Sequence, residues 1–164
     1  MLFWIAAASA ATLTVRAPAF PNGATIPTEY TCVDEDASPM IVWAGAPATT
    51  QTYAVVVDDP DGKDPAGAPW VHWVVYNIPA NAVQLDRNIL VDDKRFLQGT
   101  NDFKQPAWGG PCPPAGKGAH RYMFRVYALD TTLALVAGAS RTDVDAAMKG
   151  HILASGTVMG RYER

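Results

Sequence analysis

No run of Lys or Arg appears anywhere in this chain: 13 basic residues are scattered among 16 acidic ones, for a net charge of −3. Nucleic-acid binders gather basic charge on one face or along one segment, so that class is set aside. No apolar stretch approaches the roughly 20 residues of a transmembrane helix, and the chain is not expected to span a membrane. Basic amphipathic helices and lipidation signals are also missing, so any lipid contact is expected to be head-group recognition from solution. Cysteine is scarce. Cys32 and Cys112 lie far apart, well outside the short spacings of thiolate zinc sites. Two readings stay open for them: a disulfide, if the protein is exported, or two half-buried thiols that never meet. There is no Gly-x-Ser-x-Gly elbow, and Cys112, between Pro111 and Pro113, has no basic neighbour in sequence to activate it. Nucleophilic catalysis is therefore not expected.

What is present fits one globular domain: 164 residues, 49% of them hydrophobic and 18% charged. Pro and Gly, 13 of each, fall between short apolar runs, the pattern of an all-β domain with many turns. Residues 1–10 stand apart. Leu2 to Ala8 is apolar and Ala8-Ser9-Ala10 has the small-x-small form of a signal-peptidase site, although the basic n-region is absent. This stretch reads as the end of a secretory signal, which would place the protein in the periplasm or outside the cell. The alternative is a cytoplasmic start leading into a strand around Leu13-Thr14-Val15. The domain itself is expected over residues 11–164.

Tyr53-Ala54-Val55-Val56-Val57 is a β-branched run too short for a helix, and it is expected to end in a turn at Asp58-Asp59-Pro60-Asp61-Gly62. Val71 to Ile78 reads as a second strand, closed by Pro79. Period-2 alternation puts His72, Val74 and Tyr76 on one face, with Val71, Trp73 and Val75 on the other. Tyr122 to Leu129 repeats the pattern, and an early start would place His120 and Tyr122 on the face of Phe124 and Val126. One segment reads as helical: Ser140-x-x-Asp143 resembles a capping box, with Val144, Ala147, Met148, His151 and Ile152 at helical spacing, and Gly156 is expected to stop it. His151 is expected to be a packed, hydrogen-bonded residue of that stripe. Thr157 to Tyr162 would form a last strand, and Gln84 to Phe103 a solvated connection.

The chemistry gathers elsewhere. Asp59-Pro60-Asp61, Trp70-Val71-His72-Trp73 and Gly118-Ala119-His120-Arg121-Tyr122 together supply two carboxylates, two imidazoles and a phenol. Such groups can hold a small polar ligand or move a proton. Asp61 with His72 or His120 could serve as an acid–base pair, and two histidines with a carboxylate could form a facial triad for a metal.

Taken in order, the segments Pro18-Ala19-Phe20, Ile26-Pro27, Tyr30-Thr31-Cys32, Ser38-Pro39, Asp59-Pro60-Asp61, His72-Trp73-Val74-Val75-Tyr76-Asn77-Ile78-Pro79, Asn101-Asp102-Phe103, Gly109-Gly110-Pro111-Cys112-Pro113-Pro114 and Gly118-Ala119-His120-Arg121-Tyr122 carry a resemblance. From Ala17 onward the chain resembles the phosphatidylethanolamine-binding protein family, in particular its bacterial Raf kinase inhibitor-like branch. The resemblance implies a mostly β fold, an antiparallel β-sandwich with a few peripheral helices. It also implies a small cavity for phosphate, acetate or a phospholipid head group, lined by Asp59, Asp61, Trp70, His72, Pro113, His120 and Tyr122. It implies no cofactor and speaks against a metal. A kinase or serine protease inhibited through protein–protein contact is the alternative partner. Two departures stand out: Gly62-Lys63 follows the acid pair where the family usually has Ala-Pro, and Trp108 stands where a tyrosine is usual.

Bare carboxylates repel an anion, so the cavity needs positive or donor groups. The aspartates are expected to accept hydrogen bonds from His72 and His120, fixing their tautomers and favouring protonated imidazoles whose outer N–H groups face the ligand. Tyr122 and backbone N–H groups of the Gly/Pro loop would add donors. A second reading of Asp59, as a turn cap with only Asp61 at the cavity, stays open. Arg121 is expected to pair with a buried acid, and Trp70 rather than Trp73 to form a cavity wall.

Overall fold

The computed structural model describes residues 11–164; the proposed signal segment, residues 1–10, lies outside the described residues. The fold is a two-sheet β-sandwich. The larger sheet has the strand order β1-β9-β8-β4-β5-β7 and the smaller one β2-β3-β6. The strands are β1 (Ala11–Thr12), β2 (Thr14–Arg16), β3 (Ile41–Ala44), β4 (Thr52–Lys63), β5 (Pro69–Pro79), β6 (Gln84–Leu85), β7 (Leu97–Gln98), β8 (His120–Leu129) and β9 (Ile152–Tyr162). All pairings are antiparallel except that of β1 with β9. Among the described residues the expected few peripheral helices are a single α-helix, α1 (Arg141–Met148), and a short 3-10 turn over Thr28–Tyr30. Among the described residues no helix is long and apolar enough to cross a membrane.

Both faces of the large sheet are covered, which explains why Ala54 to Val57 is apolar without alternation: all four are 0% exposed. Val55, Val57, Trp73, Val75, Phe124 and Val126 pack against Val15, Ile41, Trp43 and Leu85 of the small sheet. Ala54, Val56, Val74 and Tyr76 face the other way, toward Val144 and Met148 of α1 and the loop residue Leu133.

Expectations change in several details. First, β4 does not stop at Asp58 but runs on to Lys63. Asp59 pairs with Trp70 and Lys63 with Pro69, so Pro60, Asp61 and Gly62 bulge out with no partner on β5. Second, Val57 pairs with Trp73 and Asp58 with Val71, leaving His72 as the extra residue of a bulge. Val71 therefore sits with Val74 and Tyr76, and His72 turns toward Tyr122, its ring 5.1 Å away and edge-on. The strict alternation read from the sequence fails at that residue.

Third, α1 is shorter. Its N-terminus is the expected capping box, with Ser140 and Asp143 each accepting from the other's backbone N–H. Its end is set by Gly150, at φ 82°, and not by Gly156, which lies within β9. His151 thus falls outside the helix. It bonds Asp130 at 2.7 Å, with 46% of its side chain exposed: hydrogen-bonded as expected, yet not packed. The connection Gln84 to Phe103 is only partly solvated, since it contributes β6 and β7 and buries Leu85, Ile89, Phe96 and Asn101.

Candidate functional site

The two bulges aim their residues into one cavity of about 500 Å³ at the end of the large sheet. All seven residues singled out from the sequence line it: Asp59, Asp61, Trp70, His72, Pro113, His120 and Tyr122. Gly62, Lys63, Phe103, Cys112 and Pro114 complete the wall. Phe103 was missed by pattern reading because it follows the turn residues Asn101 and Asp102 and belongs to no strand. The residue is 39% exposed, and its ring meets Trp70 and His72 edge-on, each at 5.4 Å.

Asp59 does two jobs. Its Oδ1 accepts the backbone N–H groups of Asp61 and Gly62, each at 2.8 Å, which shapes the bulge. Its Oδ2 accepts from Nδ1–H of His120 at 2.7 Å. Turn cap and cavity residue are therefore one and the same. With Asp59 only 4% exposed, this pair forms in a largely water-free setting, where a charge-assisted hydrogen bond is strong.

Asp61 does not meet a histidine. It accepts a two-pronged bond from Arg121, Nε at 3.0 Å and Nη2 at 2.8 Å, and a third from the Arg121 backbone N–H at 2.9 Å. The guanidinium bond, as the largest influence, holds the Asp61 carboxyl well below the usual range, at about 2. The acid beside Arg121 is thus at the rim and not buried as expected.

His72 also departs from expectation. Its Nδ1 faces the carbonyl oxygen of Gly109 at 2.5 Å and no carboxylate. Burial lowers its pKa, outweighing Asp59, Asp36 and Asp102, which pull the other way, so the imidazole is held neutral. The Gly/Pro loop contributes differently as well. The N–H of Gly109 goes to the His72 carbonyl and that of Gly110 to Asp36 Oδ1, so these two donors face away from a ligand. Tyr122 keeps its proton: burial raises its pKa, with the charges of Asp59 and Asp61 adding to the effect. It remains an O–H donor across the physiological range.

The loop that carries Pro113 is tied down covalently, because Cys32 and Cys112 form a disulfide with Cα atoms 5.5 Å apart. Trp73, fully buried, donates its indole N–H to Gln98 and stays in the core, whereas Trp70 forms cavity wall. Next to the cavity but on the opposite face, Asp58 is 2% exposed and bridged by Arg125 and Arg141; it reads as a turn residue in the sequence and is a buried ion-pair centre in the fold. Among the described residues no three His, Cys, Asp or Glu side chains are placed to hold a metal ion.

The fold recurs in known proteins. A family model described as phosphatidylethanolamine-binding protein matches residues 16–163. A UPF0098 protein of Aquifex aeolicus is 42% identical, covering 99% of this chain and 95% of its own length. One from Methanothermobacter thermautotrophicus is 41% identical, with 93% and 99% covered. Among solved structures, Escherichia coli YbcL, described as a new member of the mammalian PEBP family, superimposes with a TM-score of 0.85 at 31% identity, over 94% of this chain and 99% of that one. A putative PEBP homologue from Chlamydia trachomatis gives 0.84 at 31% identity, with 93% and 98% covered. With the motifs, the sandwich and these matches in agreement, this chain belongs to the phosphatidylethanolamine-binding protein family.

Proposed function

We propose that this protein is a binding protein whose cavity recognises a small anion: phosphate, a carboxylate or a phospholipid head group. One observation carries the reading. Both carboxylates that would repel an anion are already engaged, Asp59 by His120 and two backbone N–H groups, Asp61 by Arg121. Donors remain at the cavity wall, the Tyr122 hydroxyl and the Lys63 ammonium, beside the His120 ring that Asp59 orients. The apolar faces of Trp70, Phe103 and Pro113 surround them, as in small-molecule sites that fix orientation with few polar groups.

The test is calorimetric titration of phosphate and O-phosphorylethanolamine into wild type and His120→Ala, at about pH 6 and pH 8. Saturable binding is expected at both pH values, because Asp59 fixes the His120 ring at the cavity wall. The variant is expected to lose it by about tenfold or more, the size of a charge-assisted hydrogen bond. Absence of binding at both pH values would overturn the anion pocket and leave a protein partner, a kinase or a protease, as the reading to pursue.

A further inference from the structure

The cavity wall that carries Pro113 has few backbone donors of its own. Pro111, Pro113 and Pro114 each remove an N–H from the stretch between Gly109 and Lys117, so no sheet ladder can form there. Gly109 and Gly110 are held through their N–H groups, by the His72 carbonyl and by Asp36 Oδ1. Beyond them the wall is held by its carbonyl oxygens: Pro111 accepts from Cys32 N–H at 3.2 Å and Pro113 from Arg164 Nε at 3.1 Å. The strongest tie is covalent, the Cys32–Cys112 disulfide. Its two ends differ. Cys32 opens a run of exposed residues, 32–36, whose flanks Thr31 and Ala37 are buried, so it stands on an anchored strap that thiols in solution can reach. Cys112 is half-buried and lines the cavity. Thiol exchange depends on which sulfur an incoming thiolate can reach, and exposed disulfides are the labile ones.

We propose that the Cys32–Cys112 disulfide is a thiol-exchange site that latches the cavity wall, attacked at Cys32 and released at Cys112. The thiolate of a dithiol bonds Cys32 Sγ, the S–S bond breaks, and Cys112 leaves as a thiolate that takes up a proton. The second thiol of the reductant gives up its proton and displaces Cys32, which is protonated in turn. Two electrons thus pass to the protein, and the dithiol ends as its own disulfide. Gly109 and Gly110 keep their bonds to His72 and Asp36, so the fold persists and the new freedom is confined to residues 111–114. A mobile wall holds a ligand less well. On the anion-pocket reading, on which this last consequence alone rests, reduction weakens phosphate binding, and by linkage bound phosphate opposes reduction by the same factor.

The test uses the intact protein, oxidised and after treatment with dithiothreitol, followed by maleimide labelling of free thiols and by amide hydrogen exchange. Dithiothreitol is expected to free both thiols without denaturant. The Cys32 amide, whose acceptor lies on the released wall, should then exchange about tenfold faster, while the Gly110 amide and the β8–β9 ladder stay within about twofold. Cys32→Ala combined with Cys112→Ala should show the faster exchange from the outset and ignore the reductant. Thiols that appear only in urea would overturn the exchange site. An unchanged Cys32 amide after complete reduction would overturn the latch, and so would loss of protection throughout β8 and β9, since the disulfide would then hold the whole fold. Titration with inorganic phosphate reads the coupling. Affinity about tenfold weaker after reduction supports it, and equal affinity in the two redox states overturns it. No phosphate binding in either state would overturn the anion pocket, and the exchange rates then decide the latch by themselves.

Discussion

An added Cβ at Gly62 would stand 2.7 Å from Oδ2 of Asp59, the oxygen that accepts from His120. Any side chain there must push the carboxylate aside, and the carboxylate is the group that orients the imidazole. Gly62 is therefore a positioning residue, and the Gly-Lys step after the acid pair, which differs from the family's usual Ala-Pro, is built into the geometry of this pocket. Gly62→Ala is expected to leave the fold intact, because the displaced atom is the end of a side chain rather than backbone. Phosphate affinity in the calorimetric titration should nonetheless fall about tenfold as the Asp59–His120 bond is strained. Unchanged affinity with an unchanged circular dichroism spectrum would show that the pair does not govern binding. At this scale the sequence revealed which residues gather and misjudged their partners. Asp59, Asp61, His72 and His120 were legible because acids, imidazoles and a phenol recur at strand ends. That Asp61 turns to Arg121 and His72 to Gly109 depends on bulges, which leave no pattern in a string of residues.

Elements were most legible where local chemistry decides them. The start of α1 could be read from Ser140-x-x-Asp143 because a capping box is a contact within four residues. Its end could not. Ile152 opens β9 and happens to continue the helical spacing through His151, while the actual stop is the left-handed backbone of Gly150. The continuation of β4 through Asp58-Asp59-Pro60-Asp61-Gly62 was hidden for a similar reason, since turn-forming residues also build bulges. Asp58 shows what the concealment costs. Its carboxylate is bridged by Arg125 Nε at 3.1 Å and Arg141 Nη1 at 2.9 Å, joining β4, β8 and α1. Asp58→Ala leaves two guanidinium groups facing a partly buried gap. It is expected to cost about 3–5 kcal/mol in urea denaturation, whereas Ser140→Ala, which removes only the helix cap, should cost about 1 kcal/mol. Equal costs would mean that the ion-pair centre adds nothing to holding the helix on the sheet.

The molecule as a whole couples this sandwich to a polar pocket at its edge, and the coupling has a signature in pH. Fold class was legible because many short apolar runs cut by Pro and Gly exclude a helical bundle, and the order of nine short segments narrowed the family. The disulfide was not, because its two half-cystines come from loops that only the tertiary fold brings together. Nor was the burial of His72, which closes the core at the cavity and must remain neutral there. In the unfolded chain a histidine takes up a proton near its ordinary value of about 6.5. In the folded protein His72 resists protonation, so below about pH 6.5 the unfolded state binds more protons and stability declines as pH falls, until the lowered folded-state value is passed. Above that pH both states are neutral at this residue and its contribution is flat. Asp61 acts in a separate window: its stabilising pair with Arg121 is complete above about pH 4 and disappears only as pH falls through about 2. Urea midpoints measured from about pH 8 to 4 should therefore fall in wild type, beginning near pH ~6.5, and fall less steeply in His72→Gln. Parallel curves for the two proteins would show that His72 is freely protonated in the folded state, which its enclosure by Phe103, Tyr122 and Gly109 argues against.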